Sequence, residues 1–158
     1  IQIELEAKER YEEFSRQIGS STLNDAGDFF SQMAINESKH AVDLQEKRKE
    51  LFGNSSSRIS LEDLYEFQEI EAPEFDKAKS FMSPRTALLV ARNCEIKAHD
   101  FFLKAEQLVT NPKVKELFLE LKDEELQHKK MVEEILKKYP ENENNIIADD
   151  DIDEPNGL

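Results

Sequence analysis

The sequence predicts an all-α protein: one four-helix bundle with a long crossover between its second and third helices. Apolar residues recur at alternating steps of three and four along most of the chain, the signature of one face of a helix. The composition, 38% hydrophobic and 35% charged with four glycines, suits helices better than sheet. Four amphipathic stretches are bounded by Gly, Ser, Asn and Pro punctuation. At 158 residues and 18.3 kDa the chain has room for one domain around one core.

The first helix is expected over about residues 1 to 18, with Ile1, Glu4, Ala7, Tyr11, Phe14 and Ile18 on one face. That spacing turns Glu4 inward. Gly19-Ser-Ser-Thr22 breaks the pattern, and Asn24 or Asp25 offers a cap for a second helix that continues to about Phe52. Its inward stripe is Ala26, Phe30, Met33, Glu37, His40 and Leu44. Ser83-Pro84 starts a third helix, with proline tolerated in the first turn, and Leu88, Ala91, Glu95, Ala98, Phe102, Ala105 and Val109 face inward. Asn111-Pro112 turns the chain into a fourth, with Val114, Phe118, Leu121, Glu125, His128, Val132 and Ile135 on its stripe and Pro140 as its stop.

Residues 53 to 83, about 31 in number, exceed the roughly 2 to 8 residues usual between neighbouring bundle helices. A helix of about 25 residues is roughly 38 Å long, which such a segment spans with length left for short helical turns near Leu61 to Phe67. The second and third helices are therefore expected to run parallel. The bundle is expected over 1–138 and an acidic, disordered tail over 139–158, where Glu, Asp and Asn dominate. A helical pattern already running at Ile1, with no initiator Met, implies that the natural N-terminus was trimmed or lies upstream.

A net charge of −14 argues against nucleic acid as a partner, since phosphate binding needs clustered Lys and Arg, and it is compatible with cations. The single cysteine, Cys94, excludes an internal disulfide framework and a four-cysteine iron site within these residues. It points to a reducing, cytoplasmic setting. No signal peptide or membrane span is visible in the sequence.

Glu37-Ser-Lys-His40 and Glu125-Leu-Gln-His128 are two copies of Glu-x-x-His, and they hold two of the three histidines. On a helix each copy presents a carboxylate and an imidazole from one face about a turn apart. Glu4-x-x-Ala7-x-x-x-Tyr11 is answered by Glu95-x-x-Ala98-x-x-x-Phe102. Glu4 and Glu37 lie 33 residues apart and Glu95 and Glu125 lie 30 apart, as a duplicated helical hairpin would place them. The sum is one Glu from each of two helices and one Glu-x-x-His from each of the other two, the ligand set of di-iron or di-manganese carboxylate bundles. Four inward carboxylates would carry about −4, and burying them unpaired costs several kcal/mol each. Two divalent cations cancel that charge.

On these motifs the chain resembles the ferritin-like superfamily, and within it the rubrerythrin-like branch, over roughly residues 1 to 138. The resemblance implies a ferritin-like bundle and two iron ions, with manganese also suited to the ligands. By position, Glu4 and Glu95 would be the single-glutamate ligands, Glu37 and Glu125 the bridging carboxylates, and His40 and His128 the terminal imidazoles. Rubrerythrins typically have a further glutamate one turn after the third-helix ligand, and Ala98 stands there. They also usually carry a rubredoxin domain with a four-cysteine iron, which one cysteine cannot supply.

The implied function is a di-iron oxidoreductase that reduces hydrogen peroxide or dioxygen as Fe(II) is oxidised, with an external electron donor and assembly as a homo-oligomer such as a dimer. The alternatives are a ferroxidase feeding iron storage or transfer, and a metal-stabilised interaction bundle. Glu124 shares a broad face with Leu117, Leu121 and His128 and so rivals Glu125, which symmetry with Glu37 favours. Glu6 and Glu9 compete with Glu4 but fall off the Tyr11 and Phe14 stripe. His99 is expected at the surface or beside the ligands, Tyr11 in the core, and Cys94 as a small buried side chain.

Overall fold

The computed structural model describes residues 1–19, 25–54 and 83–141. Among them it forms four helices: α1 (Gln2–Ile18), α2 (Ala26–Phe52), α3 (Pro84–Leu108) and α4 (Pro112–Leu136). Each boundary has a local cause. Asp25 accepts the Asp28 N–H at 3.0 Å, Ser83 accepts that of Thr86 at 3.1 Å, and Asn111 accepts that of Lys113 at 3.0 Å. Each side chain satisfies a donor that the first helical turn leaves open. Pro84 and Pro112 sit in first turns, where a missing N–H costs nothing. α1 and α2 end at Gly19 (φ 68°) and Gly53 (φ 62°), left-handed positions that strain any residue with a Cβ. The turn expected near Leu61–Phe67, and the tail from residue 142 onward, lie outside the described residues.

The helices pair as two hairpins, α1 with α2 and α3 with α4, joined by the long connection between α2 and α3. Two apolar clusters fix their directions. At one end Tyr11, Phe14, Phe30, Met33, Leu88, Ala91 and Val132 are buried together, joining the C-terminal halves of α1 and α4 to the N-terminal halves of α2 and α3. At the other, Leu44, Phe102 and Leu121 are buried with Ile1, Ile3, Leu117 and Phe118 packed around them. Helices α2 and α3 are thus parallel to each other and antiparallel to α1 and α4, as the long connection requires.

The first cluster is aromatic and close-packed. The Tyr11 and Phe30 rings stack at 5.8 Å, and Phe14 and Phe29 tilt against Phe30 at 5.1 and 5.5 Å. Just past α4, Tyr139 closes this end. Its hydroxyl accepts the Ala26 N–H at 2.9 Å, and its carbonyl accepts from the Arg85 guanidinium at 2.6 Å. One residue thereby ties the start of α2 and the start of α3 to the end of α4. Between the two clusters lies a polar layer.

Candidate metal centre

Glu4, Glu37, Glu95, Glu125 and His128 are all buried, each at 5% exposure or less, in a protein whose other buried residues are almost all apolar. Each stands where the three-and-four spacing carries the core stripe of its helix through the middle of the bundle. His40, the sixth residue, is half-buried at 22% side-chain exposure.

Glu37 is the pivot. Its Oε1 lies 3.0 Å from His128 Nδ1 on α4, and its Oε2 lies 3.4 Å from His40 Nδ1 on its own helix. Glu4 Oε2 approaches His40 Nδ1 at 3.7 Å, while His128 Nδ1 is 3.6 Å from Glu95 Oε2 and 3.7 Å from Glu125 Oε2. Both imidazoles thus turn Nδ1 toward carboxylates. The two rings stack at 5.2 Å, only 11° from parallel. Ligand atoms of Glu37, His40 and His128 gather within 4.8 Å of one another, as do those of Glu95, Glu125 and His128.

Closeness here is not the same as hydrogen bonding. Glu4 Oε1, Glu37 Oε1 and His128 Nδ1 are buried polar atoms without a hydrogen-bond partner, although two of them are 3.0 Å apart. Such atoms cost roughly 1–3 kcal/mol each when nothing satisfies them, and more when charged. Carboxylate oxygens and imidazole nitrogens gathered this closely are a donor set for divalent cations. The residues therefore fit a metal centre: these carboxylate and histidine clusters are consistent with a di-iron site.

Burial and mutual contact shift five of the six groups. Burial lifts the Glu4 carboxyl to about 7 and pushes Glu125 well above the ordinary carboxylate range. Burial would raise Glu37 too, but His128 and His40 beside it hold it down at about 2. Glu37 and Glu4 raise His40 to about 10. For His128 burial works downward, yet Glu125, Glu37 and Glu95 outweigh it and push the imidazole far up.

The family model of rubrerythrin matches residues 1–80 and 86–155, nearly the whole chain. The chain belongs to the rubrerythrin family. No curated protein and no solved structure matches it significantly. Its buried glutamate and histidine clusters, on four helices paired as in ferritin-like bundles, are consistent with a di-iron centre of the rubrerythrin type. Among the described residues no helix is long and apolar enough to cross a membrane.

The remaining residues singled out in the sequence fall as follows. Glu124 is half-buried and lines a cavity that also reaches His40. Glu6 is half-buried and Glu9 exposed. His99 is half-buried and faces its neighbour, Nδ1 to Asp100 Oδ1 at 3.0 Å. Cys94 is buried, and Ala98 is buried one turn after Glu95 without a polar atom to offer. Tyr11 is core, with a buried hydroxyl that has no hydrogen-bond partner. The sequence reading missed Arg10, which is 6% exposed, though it lies on the stripe between Ala7 and Phe14. It also missed the charged residues beyond His40; Asp43, Lys47 and Glu50 follow it at steps of three and four, the signal that could have found them.

Proposed function

We propose that the chain is a di-iron oxidoreductase in which Glu4, Glu37, His40, Glu95, Glu125 and His128 hold two irons, and that it reduces hydrogen peroxide or dioxygen with oxidation of Fe(II). The observation that carries this reading is the polar layer itself: four buried carboxylates, the buried His128 and the half-buried His40, from four helices, with orphaned atoms at Glu4, Glu37 and His128. Two Fe(II) ions held by these residues would supply one electron each, enough to reduce peroxide with two protons to two waters. Glu37 lies between the two imidazoles and bridges the hairpins. Glu125 holds the equivalent position of the α4 motif, 3.7 Å from His128, while Glu4 approaches His40 and Glu95 approaches His128. The aromatic cluster around Phe30 keeps water from the site on one side. Within residues 1–158 the one cysteine cannot hold a four-cysteine iron, so electrons for further turnovers enter from outside these residues.

Ala98 favours weighing a second reading, ferroxidation for iron storage or transfer, because it provides no donor where rubrerythrins typically have a glutamate. One experiment separates the two. Anaerobic Fe(II) protein is mixed by stopped flow with peroxide and, separately, with dioxygen. Rapid two-electron oxidation by peroxide, with cycling when reductant is added, is the expected result. Oxidation chiefly by dioxygen with release or mineralisation of iron favours iron handling, and inertness of both Fe(II) and Mn(II) forms removes the enzyme reading.

A further inference from the structure

Five of the six polar groups are enclosed, and the sixth, His40, is the way out. Beyond it a cavity of about 310 Å³ opens between the C-terminal half of α2 and the N-terminal half of α4. Leu44 and Leu121, both buried, form its floor. Its charged lining is predominantly acidic: Asp43, Glu46, Glu50, Glu120 and Glu124 against Lys47 and the His40 imidazole at the inner end. That lysine is committed to Glu120 across the two helices at 2.6 Å. An adjoining cavity of about 290 Å³ shares Lys47, Glu50, Leu117 and Glu120 with the first and adds Glu116 and Lys113, so the ion pair stands where the two meet and the groove continues outward between α2 and the start of α4. At the inner end, His40 Nδ1 is backed by Glu4 and Glu37, whose buried Oε1 atoms lack partners.

We propose that this groove is the route by which divalent cations reach the centre, with its carboxylates drawing the ion in and His40 receiving it at the inner end. The inference rests on the reading of the six residues as a metal centre. A cleft lined by one sign of charge over low-dielectric walls concentrates counter-ions and speeds their association by about 10- to 1,000-fold. Here the apolar floor and the five carboxylates form such a cleft, and it ends on a group able to take the cation. Glu124 contributes negative charge along the path without belonging to the buried layer. Lys47 acts as the opposing charge, and its bond to Glu120 holds the middle of the path to a fixed width.

The test is anaerobic stopped-flow uptake of Co(II) by the full chain, followed by the visible absorbance of the bound ion. The exposed rim is neutralised by Asp43→Asn, Glu46→Gln and Glu50→Gln together. At low ionic strength uptake is expected to slow about tenfold, with final stoichiometry unchanged and the difference shrinking in high salt as screening removes it. Lys47→Gln is expected to speed uptake roughly two- to threefold. The control neutralises Glu9, Glu12 and Glu134, which flank the Tyr11 and Val132 end of the bundle, and leaves the rate within about twofold. Equal slowing by both triple variants would reduce the effect to net charge and overturn the route, as would an unchanged rate in the rim variant. If the wild type binds no Co(II) at all, the metal centre itself is wrong and the route falls with it. Full stoichiometry with indifferent rates condemns the route alone.

Discussion

The two ends of the bundle are made differently. At the end where α2 and α3 begin, four aromatic rings, Tyr11, Phe14, Phe29 and Phe30, interlock with Met33, Leu88 and Val132, and Tyr139 is tied across the top. At the opposite end, among the described residues, the buried cluster is the smaller set Leu44, Phe102 and Leu121, and an acidic groove runs down to His40. The same α-hairpin is used twice, yet its two Glu-x-x-His motifs meet different surroundings: His128 is enclosed at 7% side-chain exposure and His40 is open at 22%. One end supplies stability and excludes water, and the other supplies access. The polar layer sits where they meet, because only there can buried charge be both held by a rigid scaffold and reached from outside.

The largest effect is expected at the point where the halves join. Glu37→Gln keeps the shape of the side chain but removes the carboxylate between His40 and His128, and it should abolish the binding of a metal pair, as read by metal analysis after Fe(II) loading under anaerobic conditions. Glu124→Ala, on the groove, should leave stoichiometry intact. Reversal of these two outcomes would put the α4 register of the centre one residue away from Glu125.

Core truncations sharpen the contrast between the ends. Phe30→Ala should cost about 3–5 kcal/mol in denaturant unfolding, since its ring touches three others and has no exposure. Leu44→Ala, beside the groove, should fall at the low end of the range for such changes, about 2 kcal/mol, because a partly open site relaxes more easily. Equal costs would mean that the sparse end is as tightly packed as the aromatic one.

The protons in the polar layer give a pH signature. His40 is raised from 6.5 to about 10, so its contribution to folding is complete below pH 6.5 and is lost as pH climbs toward 10. Glu4, raised from 4.5 to about 7, likewise loses its contribution as pH rises through that interval. Glu37, lowered from 4.5 to about 2, contributes above 4.5 and loses that only in strong acid. Chelator-treated protein should therefore become less stable from about pH 5 to pH 9. Stabilisation by added Mn(II) should grow over the same range, because the cation competes with those protons and releases them on binding. Thermal melts with and without Mn(II) in that pH series check it, and parallel curves would contradict it.

The smallest effect concerns the closed end's clasp. Tyr139→Phe removes the bond to the Ala26 N–H and should lower unfolding stability by about 1 kcal/mol while leaving metal uptake unchanged. A change in uptake would show that the two ends are coupled.

What could be read from the sequence was what local rules decide. The helix limits were legible at Asp25, Ser83, Asn111, Gly19 and Gly53, since caps and left-handed turns depend on a few adjacent residues. The inward placement of Glu4, Glu37, Glu95 and Glu125 was legible because each replaces an apolar residue at a step of three or four. The openness of His40 was not, because it is set by how far α2 and α4 stand apart beyond Leu44, a matter of tertiary packing. Tyr139 joins Ala26 across 113 positions of chain, and no periodicity reports a contact of that span. Arg10 was hidden for another reason: a charge on a core stripe is read as misplaced until its surroundings are seen.

The central claim is that the buried layer holds a pair of cations, and anaerobic Fe(II) titration of the chelator-treated chain, with iron counted per chain, tests it most directly. The account predicts saturation at about two per chain, and loss of that saturation when His40→Ala and His128→Ala are combined. Saturation that survives in the double variant, or a wild type that retains no iron, would contradict it.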